Sequence, residues 1–542
     1  MGSLTSSPSR ANQTARGLSI SLMFLLILSL QSHAAVLELT VLDDATDKPV
    51  ACRVLVRGAD SICAVPEGAF SLSIGPDLWF AGQGNERLEL PAGPCELRVE
   101  SGKEYARYRQ WIDIPEGKEA TNHTVRLHRW IEMAKRGYTS AENHLHLEAD
   151  ETAAWCAAED LDFGTSLQWW NRPQWGVGKG PGHVHNQPVA SGGQVPVSIY
   201  DAELEYDWGA LYIIGLPNPF PFTDNPSMPN LPGALYGRES GALNCYQGGW
   251  SREVLADALA GAVDVVNVVN NNFHLRKFMP RTQYSNLLEV PGLTVYPNTS
   301  EGMMRMNLET YYRLLNCGLR LAAGAGSATG VKASPPGYNR AYIRADEGDG
   351  MRGMLEAWRE GRNFVTNGPM LFLSAHDNIK PGDEIELGDG GGTVSFNIEV
   401  VSDCPLAKVW LVVNGQLAGE IIVGSGAGNI SGEIEVSFES SAWVCAVATD
   451  TDTLLSDEEL AAYNGPPGPY TVRGDRLRYA HTSPIYITVD GRVARDQSSV
   501  NEALAMLASF ETFCRQNSGP DYLQQMLTTI DQGRKYLSSL LE

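Results

Sequence analysis

Two histidines stand one residue apart at the end of Gly137-Tyr138-Thr139-Ser140-Ala141-Glu142-Asn143-His144-Leu145-His146, with a carboxylate two positions ahead of the first. Side chains alternate along an extended chain, so positions i and i+2 share a face. His144 and His146 then present two imidazoles side by side, as a divalent ion needs from a strand end, while Leu145 turns to the opposite, apolar side. A second His-x-His, His183 and His185, lies in a Gly- and Pro-rich stretch from His183 to Pro232 that is expected to form excursions over one face. On such a loop His185 could lean over the site.

These residues need a scaffold. Residues 131–369 alternate helical patterns (151–160, 251–262, 308–316 and 351–360, the second with Ser251 placed as its N-cap) with apolar strand-like runs at 211–216, 263–269 and 319–323. Such alternation predicts a parallel sheet or βα barrel, whose working residues follow strand C-termini. Asn270, Asn271, Asn272 and His274 follow one such run, and Gly324, Gly326 and Ser327 another. Residues 36–130 and 370–490 read as short alternating strands between turn signals, hence two all-β sandwich modules. Apolar residues from Val500 to Leu540 recur at helical spacing and predict a C-terminal helical hairpin over 491–542, with an oligomer contact as a second use.

The chain has 542 residues, enough for several domains, and a formal net charge of −23 that argues against nucleic acid or an anionic membrane as partner. Residues 1–35 carry Arg10, Arg16 and no acid, then a short Ser-interrupted apolar run and the small residues Ala34 and Ala35. That is the pattern of a cleaved secretory signal, so the protein is expected to be exported and free of the membrane after cleavage. The nine cysteines are scattered; Cys52, Cys63 and Cys95 lie close enough in sequence for one bridge. No Cys-x-x-Cys offers thiolate zinc, and no Ser-His-Asp arrangement or Gly-Lys-Ser/Thr loop offers a rival chemistry.

Several phrases in this order resemble the CehA/McbA-type metallohydrolases of the PHP (polymerase and histidinol phosphatase) superfamily. They are the His144/His146 entry, the Asn cluster, Tyr311 to Gly318, Ala325-Gly326-Ser327, Gly337 to Arg340, Gly361 to Pro369 and Thr482 to Ile487. The resemblance spans about Gly137 to Ile487. It implies a multidomain chain with a central α/β PHP-like distorted βα barrel and a metal centre that hydrolyses ester or phosphoester bonds. It also implies that Glu203 is the metal-bridging carboxylate. Ala210 stands where the family has a His, Gln168-Trp169-Trp170-Asn171 replaces Thr-Asp-His-Asn, Gln247 falls where a His-Pro is expected, and Gly326-Ser327-Ala328-Thr329-Gly330 lacks two further ligands.

A reduced site for one ion, zinc, manganese or iron, is what these departures are expected to leave, with His144, His146, Glu203 and His274 as ligands. Glu142 is the candidate base and Arg340 the candidate stabiliser of oxyanion charge. Trp169 and Trp170 suggest an aromatic floor; with Asn171, His185, Asn271, Asn272 and Ser327 they make up the candidate substrate contacts. Two functions follow: an exported metal-dependent hydrolase acting on a small-molecule or glycan-like substrate, or a non-catalytic relative that binds a glycan or polymer. No nucleotide cofactor is expected.

Overall fold

A computed structural model describes residues 34–117, 120–171, 195–271, 300–346, 350–376, 378–426, 428–450 and 478–542, with 290, 292–296 and 348. His185, Asn272, His274 and the expected signal segment lie outside the described residues. The sheet that positions the site has six strands in chain order: β1 (Gly164–Trp170), β2 (Val197–Tyr206), β3 (Gly209–Ile214), β4 (Leu243–Tyr246), β5 (Val265–Val269) and β6 (Ala322–Ala325). Every residue of these strands is buried or half-buried, which explains their largely apolar sequence.

The sheet is mixed rather than parallel. β1 pairs with β2, β4 with β5 and β5 with β6 in parallel, but β2, β3 and β4 are antiparallel neighbours. Part of the stretch expected as excursions is therefore the β2–β3 hairpin, turned at Asp207 and Trp208. Hairpin pairing sets Glu203 opposite Tyr212 and Glu205 opposite Ala210.

The edges of this sheet are joined by the His-x-His segment. The Leu167 amide of β1 donates to the Leu145 carbonyl (3.0 Å). On the other side, the Asn143 amide donates to Ala325 O (3.2 Å) and the His146 amide to Thr329 O (2.8 Å). Leu145 is fully buried with Cys156, Leu161 and Val195, so it faces away from the two histidines as alternation requires.

Four helices overlap their expected places, α1 (Ala149–Ala158), α3 (Val254–Leu259), α4 (Ser300–Leu315, which starts eight residues early) and α5 (Gly350–Arg359), whereas α2 (Leu231–Glu239) was not expected. Ser251 does not cap α3, which starts three residues later; its buried hydroxyl has no partner among the described residues. The carboxylate of Glu253 instead accepts from the Asn230 and Leu231 amides (2.8 and 3.0 Å) at the start of α2, so one helix's approach caps its neighbour. α6 (Gln497–Asn517) and α7 (Pro520–Ser539) form the expected hairpin, with Asp496 capping α6 through the Ser499 amide. It packs on α3 and α4, with Arg313 bonded to Glu502 at 2.6 Å.

Two sheets make the N-terminal sandwich, one of them three-stranded and centred on Ala34–Asp43. The C-terminal module does not stand apart at residue 370. Its nine-stranded sheet runs through Thr139–Ala141, Arg340–Ile343 and Asn363–Thr366 before reaching Tyr479–Thr482 and Ala442–Thr449. A three-stranded sheet covers its other side, with Phe364, Phe396 and Ile485 in the shared core.

All nine cysteines are free. Cys63 and Cys95 pair with adjacent residues on opposite sides of the strand Cys52–Gly58, about 10 Å apart and beyond disulfide reach. That corrects the expected bridge for this pair.

The N-terminal sandwich docks on α1 through charge. Arg53 bonds Glu159 at 2.9 Å and also Glu100, all three nearly buried. Replacing Arg53 by Ala removes the shortest ion pairs of two buried carboxylates, leaving Glu100 its 3.9 Å contact with Arg107, and is expected to cost about 3–5 kcal/mol. Urea denaturation of R53A against wild type measures this; a loss below about 1 kcal/mol contradicts it.

Candidate metal centre

His144 and His146 reach the face of β2 that carries Glu203, and the three donor atoms lie within 4.8 Å of one another. His144 Nε2 and His146 Nε2 are 3.1 Å apart, His146 Nε2 is 3.0 Å from Glu203 Oε2, and His144 Nε2 is 3.7 Å from it. Ligands at 2.0–2.1 Å from a tetrahedral ion are separated by roughly 3.3 Å. The triad has the edges of one tetrahedron face, and the donor set, two imidazoles and a carboxylate, suits zinc, manganese or iron.

Surroundings hold each ring in place. His144 Nδ1 is 2.9 Å from the Tyr212 hydroxyl, which faces it from β3 across from Glu203. With Nδ1–H donated to that oxygen, Nε2 turns a lone pair toward Glu203. His146 packs on the Trp170 ring at 4.2 Å, and its buried Nδ1 has no hydrogen-bond partner among the described residues. Gly326 passes so close that a Cβ there would sit 2.5 Å from His144 Cβ, so only glycine lets the end of β6 lie against the ligand. Burial first, then His146 and Lys332, hold the His144 pKa well below the ordinary imidazole value. Burial likewise lowers His146 to about 4, with Glu205 opposing and Lys332 adding to the shift. Both rings are thus neutral at pH 7, the state that binds metal.

The remaining candidates are dispersed. Glu142 accepts a hydrogen bond from the Ser327 hydroxyl and lies outside the triad; burial pushes its carboxyl well above the usual range. Arg340 is fully buried and donates to the carbonyls of Gly337, Asp160 and Glu159 (2.8, 3.3 and 2.8 Å), away from the triad. Trp169 and Trp170 take opposite faces of β1. Trp170 joins the site, whereas Trp169 packs on Phe220 and donates to Phe222 O in the core, because adjacent strand residues cannot share a face. Asn171 accepts from the Glu205 amide at 2.8 Å, and Asn271 accepts from Gln247 at 3.2 Å. Tyr212 and the reciprocal amide pair Asn143–Asn267 (2.7 and 2.9 Å) are absent from the sequence reading. Only the hairpin register and the closure of the sheet bring them to the histidines.

The described residues define a sheet-rich, multidomain chain in which a buried His144–His146–Glu203 group could hold one metal ion. No helix among them is long and apolar enough to cross a membrane. Comparison of the chain with family models, curated proteins and solved structures finds no match.

Tyr212→Phe removes the acceptor that orients His144 and is expected to weaken zinc binding by roughly 10–100-fold; competition against a chromogenic chelator reads this, and unchanged affinity contradicts it. A second expectation concerns acid. His146 and His481 are both buried with pKa lowered to about 4, so between 6.5 and 4 each binds less proton in the folded metal-free chain than in the unfolded one. Their contribution to stability is therefore full above pH 6.5 and lost as pH falls through that window, while buried Asp201 and Asp257, raised to about 7, act with the opposite sign. His481→Gln flattens this slope in metal-free denaturation curves taken across pH 4 to 7, and an identical slope would contradict the assignment.

Proposed function

We propose that this is an exported, PHP-like metal-dependent hydrolase of ester or phosphoester bonds working with a single ion. The observation that carries the proposal is the spacing of the three donor atoms, 3.0 to 3.7 Å, which fits one tetrahedral ion. The CehA/McbA resemblance supports the reaction class, and closure of the six-stranded sheet by the His-x-His segment supports a barrel-like reading of the centre. A divalent ion bound there supplies Lewis acidity and activates water as nucleophile. The chain's own part is to keep both imidazoles neutral by burial, to turn His144 Nε2 inward through Tyr212, and to supply one negative charge from Glu203. Three protein ligands leave the open position that catalytic, as opposed to structural, sites keep.

One observation favours the second reading, a ligand-binding protein without turnover. Arg340 is engaged by backbone carbonyls and Glu142 by the Ser327 hydroxyl, so neither is posted at the triad to assist chemistry.

Elemental analysis of protein equilibrated with zinc, manganese or iron separates these. We expect about one equivalent, lost in His146→Ala and in Glu203→Gln, together with hydrolysis of activated esters or phosphoesters that a chelator abolishes. Stoichiometric metal without hydrolysis selects the binding reading, and wild-type protein that takes up no metal overturns the centre itself.

A further inference from the structure

The geometry points to a proton-held clasp: the carboxyl groups of Glu253 and Asp257 share one hydrogen, and its loss as pH rises frees the turn end of the C-terminal hairpin, residues 508–525, from the body. The clasp lies outside the metal centre and does not depend on it.

Three elements meet at the pair. Glu253 immediately precedes α3 and Asp257 lies one helical turn on, so the two side chains share a face. Both are fully buried. Glu253 accepts from the Asn230 and Leu231 amides at the start of α2. Asp257 Oδ2 accepts from the Tyr246 hydroxyl of β4 (2.6 Å), which itself accepts from Asn230 Nδ2 (3.1 Å). The two carboxyl groups also hydrogen-bond each other. Two carboxylates have no hydrogen to share, so the pair holds one proton. Asp257 Oδ1 has no donor among the described residues, as suits an oxygen that carries that hydrogen itself.

The groups around the pair do not replace that proton. Burial is the largest influence on both carboxyls and raises both, Asp257 to about 7; among the described residues the side chains acting on Asp257 are Tyr246 and Glu253. Tyr246 from β4 and Cys514 from α6, the other titratable groups facing the pair, are pushed up by burial and neutral at pH 7. Arg252, next to Glu253 in the chain, bonds the Asp207 carbonyl and lies 4.2 Å from the Phe513 ring. α7 meets α3 where Gly533 packs on Leu259, an apolar contact.

The turn end of the hairpin rests on the same elements. Phe513 packs on Trp208 (4.9 Å), whose carbonyl accepts the Glu253 amide (2.9 Å). The Gly519 amide donates to Ser227 O (3.0 Å), just ahead of α2. The other end stays tied to α4 through Arg313 and Glu502. Full ionisation puts two like charges in one buried space, which opening of the turn end relieves. Once open, the carboxyls titrate near their ordinary 3.8 and 4.5, so opening releases a proton. Its equilibrium constant then rises about tenfold per pH unit until the buried pair itself ionises. The pair's contribution to stability is full in acid and lost as pH rises through about 7.

Hydrogen exchange of the full chain between about pH 6 and 8, resolved by peptide and corrected for the intrinsic rate at each pH, tests the clasp. Opening of residues 508–525 and of α3 should rise about tenfold per pH unit near pH 6 and level off above about 7. Asp257→Asn fixes the hydrogen as an amide N–H, so the whole rise should shrink to about twofold or less. Tyr246→Phe removes the hydroxyl that favours the ionised Asp257, so the same rise should come at higher pH; this variant carries the test if Asp257→Asn does not fold. Equal protection of the wild type across the range, an Asp257→Asn profile that matches the wild type, or a Tyr246→Phe rise that is not displaced overturns the inference.

Discussion

The molecule turns on four residues that are not a strand of the central sheet yet bond both of its edges. Residues 143–146 take hydrogen bonds to β1 on one side and to β6 and Thr329 on the other. Unpaired edges of a buried sheet would leave several backbone groups without partners, a cost comparable to that of unmet hydrogen bonds. Closing the edges with this segment removes that cost and, because alternation is enforced by Leu145 in its apolar pocket, drives both imidazoles into the interior. Metal-ligand geometry is thus a by-product of satisfying backbone amides.

Around the histidines the interior is polar yet nearly uncharged. Asn143 pairs reciprocally with Asn267, and Asn270 with Asn307 at 3.1 and 3.2 Å. Asn339 donates to the Asn270 and Gly326 carbonyls, both at 3.0 Å. Amide pairs meet the hydrogen-bonding needs of strand ends without the desolvation penalty of ions. In such surroundings a single cation finds one negative ligand, Glu203, rather than several, in keeping with a centre for one ion.

Legibility varied with the range of the interaction that decided each feature. The alternation at 144–146 and the C-terminal hairpin were readable because neighbours in sequence settle them. Ser251 looked like a cap, but the tertiary placement of Glu253 against α2 shifted the helix start. The paired Trp169 and Trp170 looked like a floor, and strand geometry turned one of them away. Arg340 was expected to stabilise oxyanion charge; it instead holds carbonyls at the end of α1, which no local pattern reveals.

By itself the sequence determined the spacing of the two imidazoles, the apolar face opposite them, and the division into β-rich flanks, an α/β centre and terminal helices. These follow from side-chain periodicity, a property of a few consecutive residues. Tertiary structure alone decided that Tyr212 joins the histidines and Glu203, that Glu142 and Arg340 do not, and that the nine-stranded sheet crosses from the centre into the C-terminal module. Those outcomes depend on which strands pair and in what register, and pairing is set by the whole buried surface rather than by any one segment.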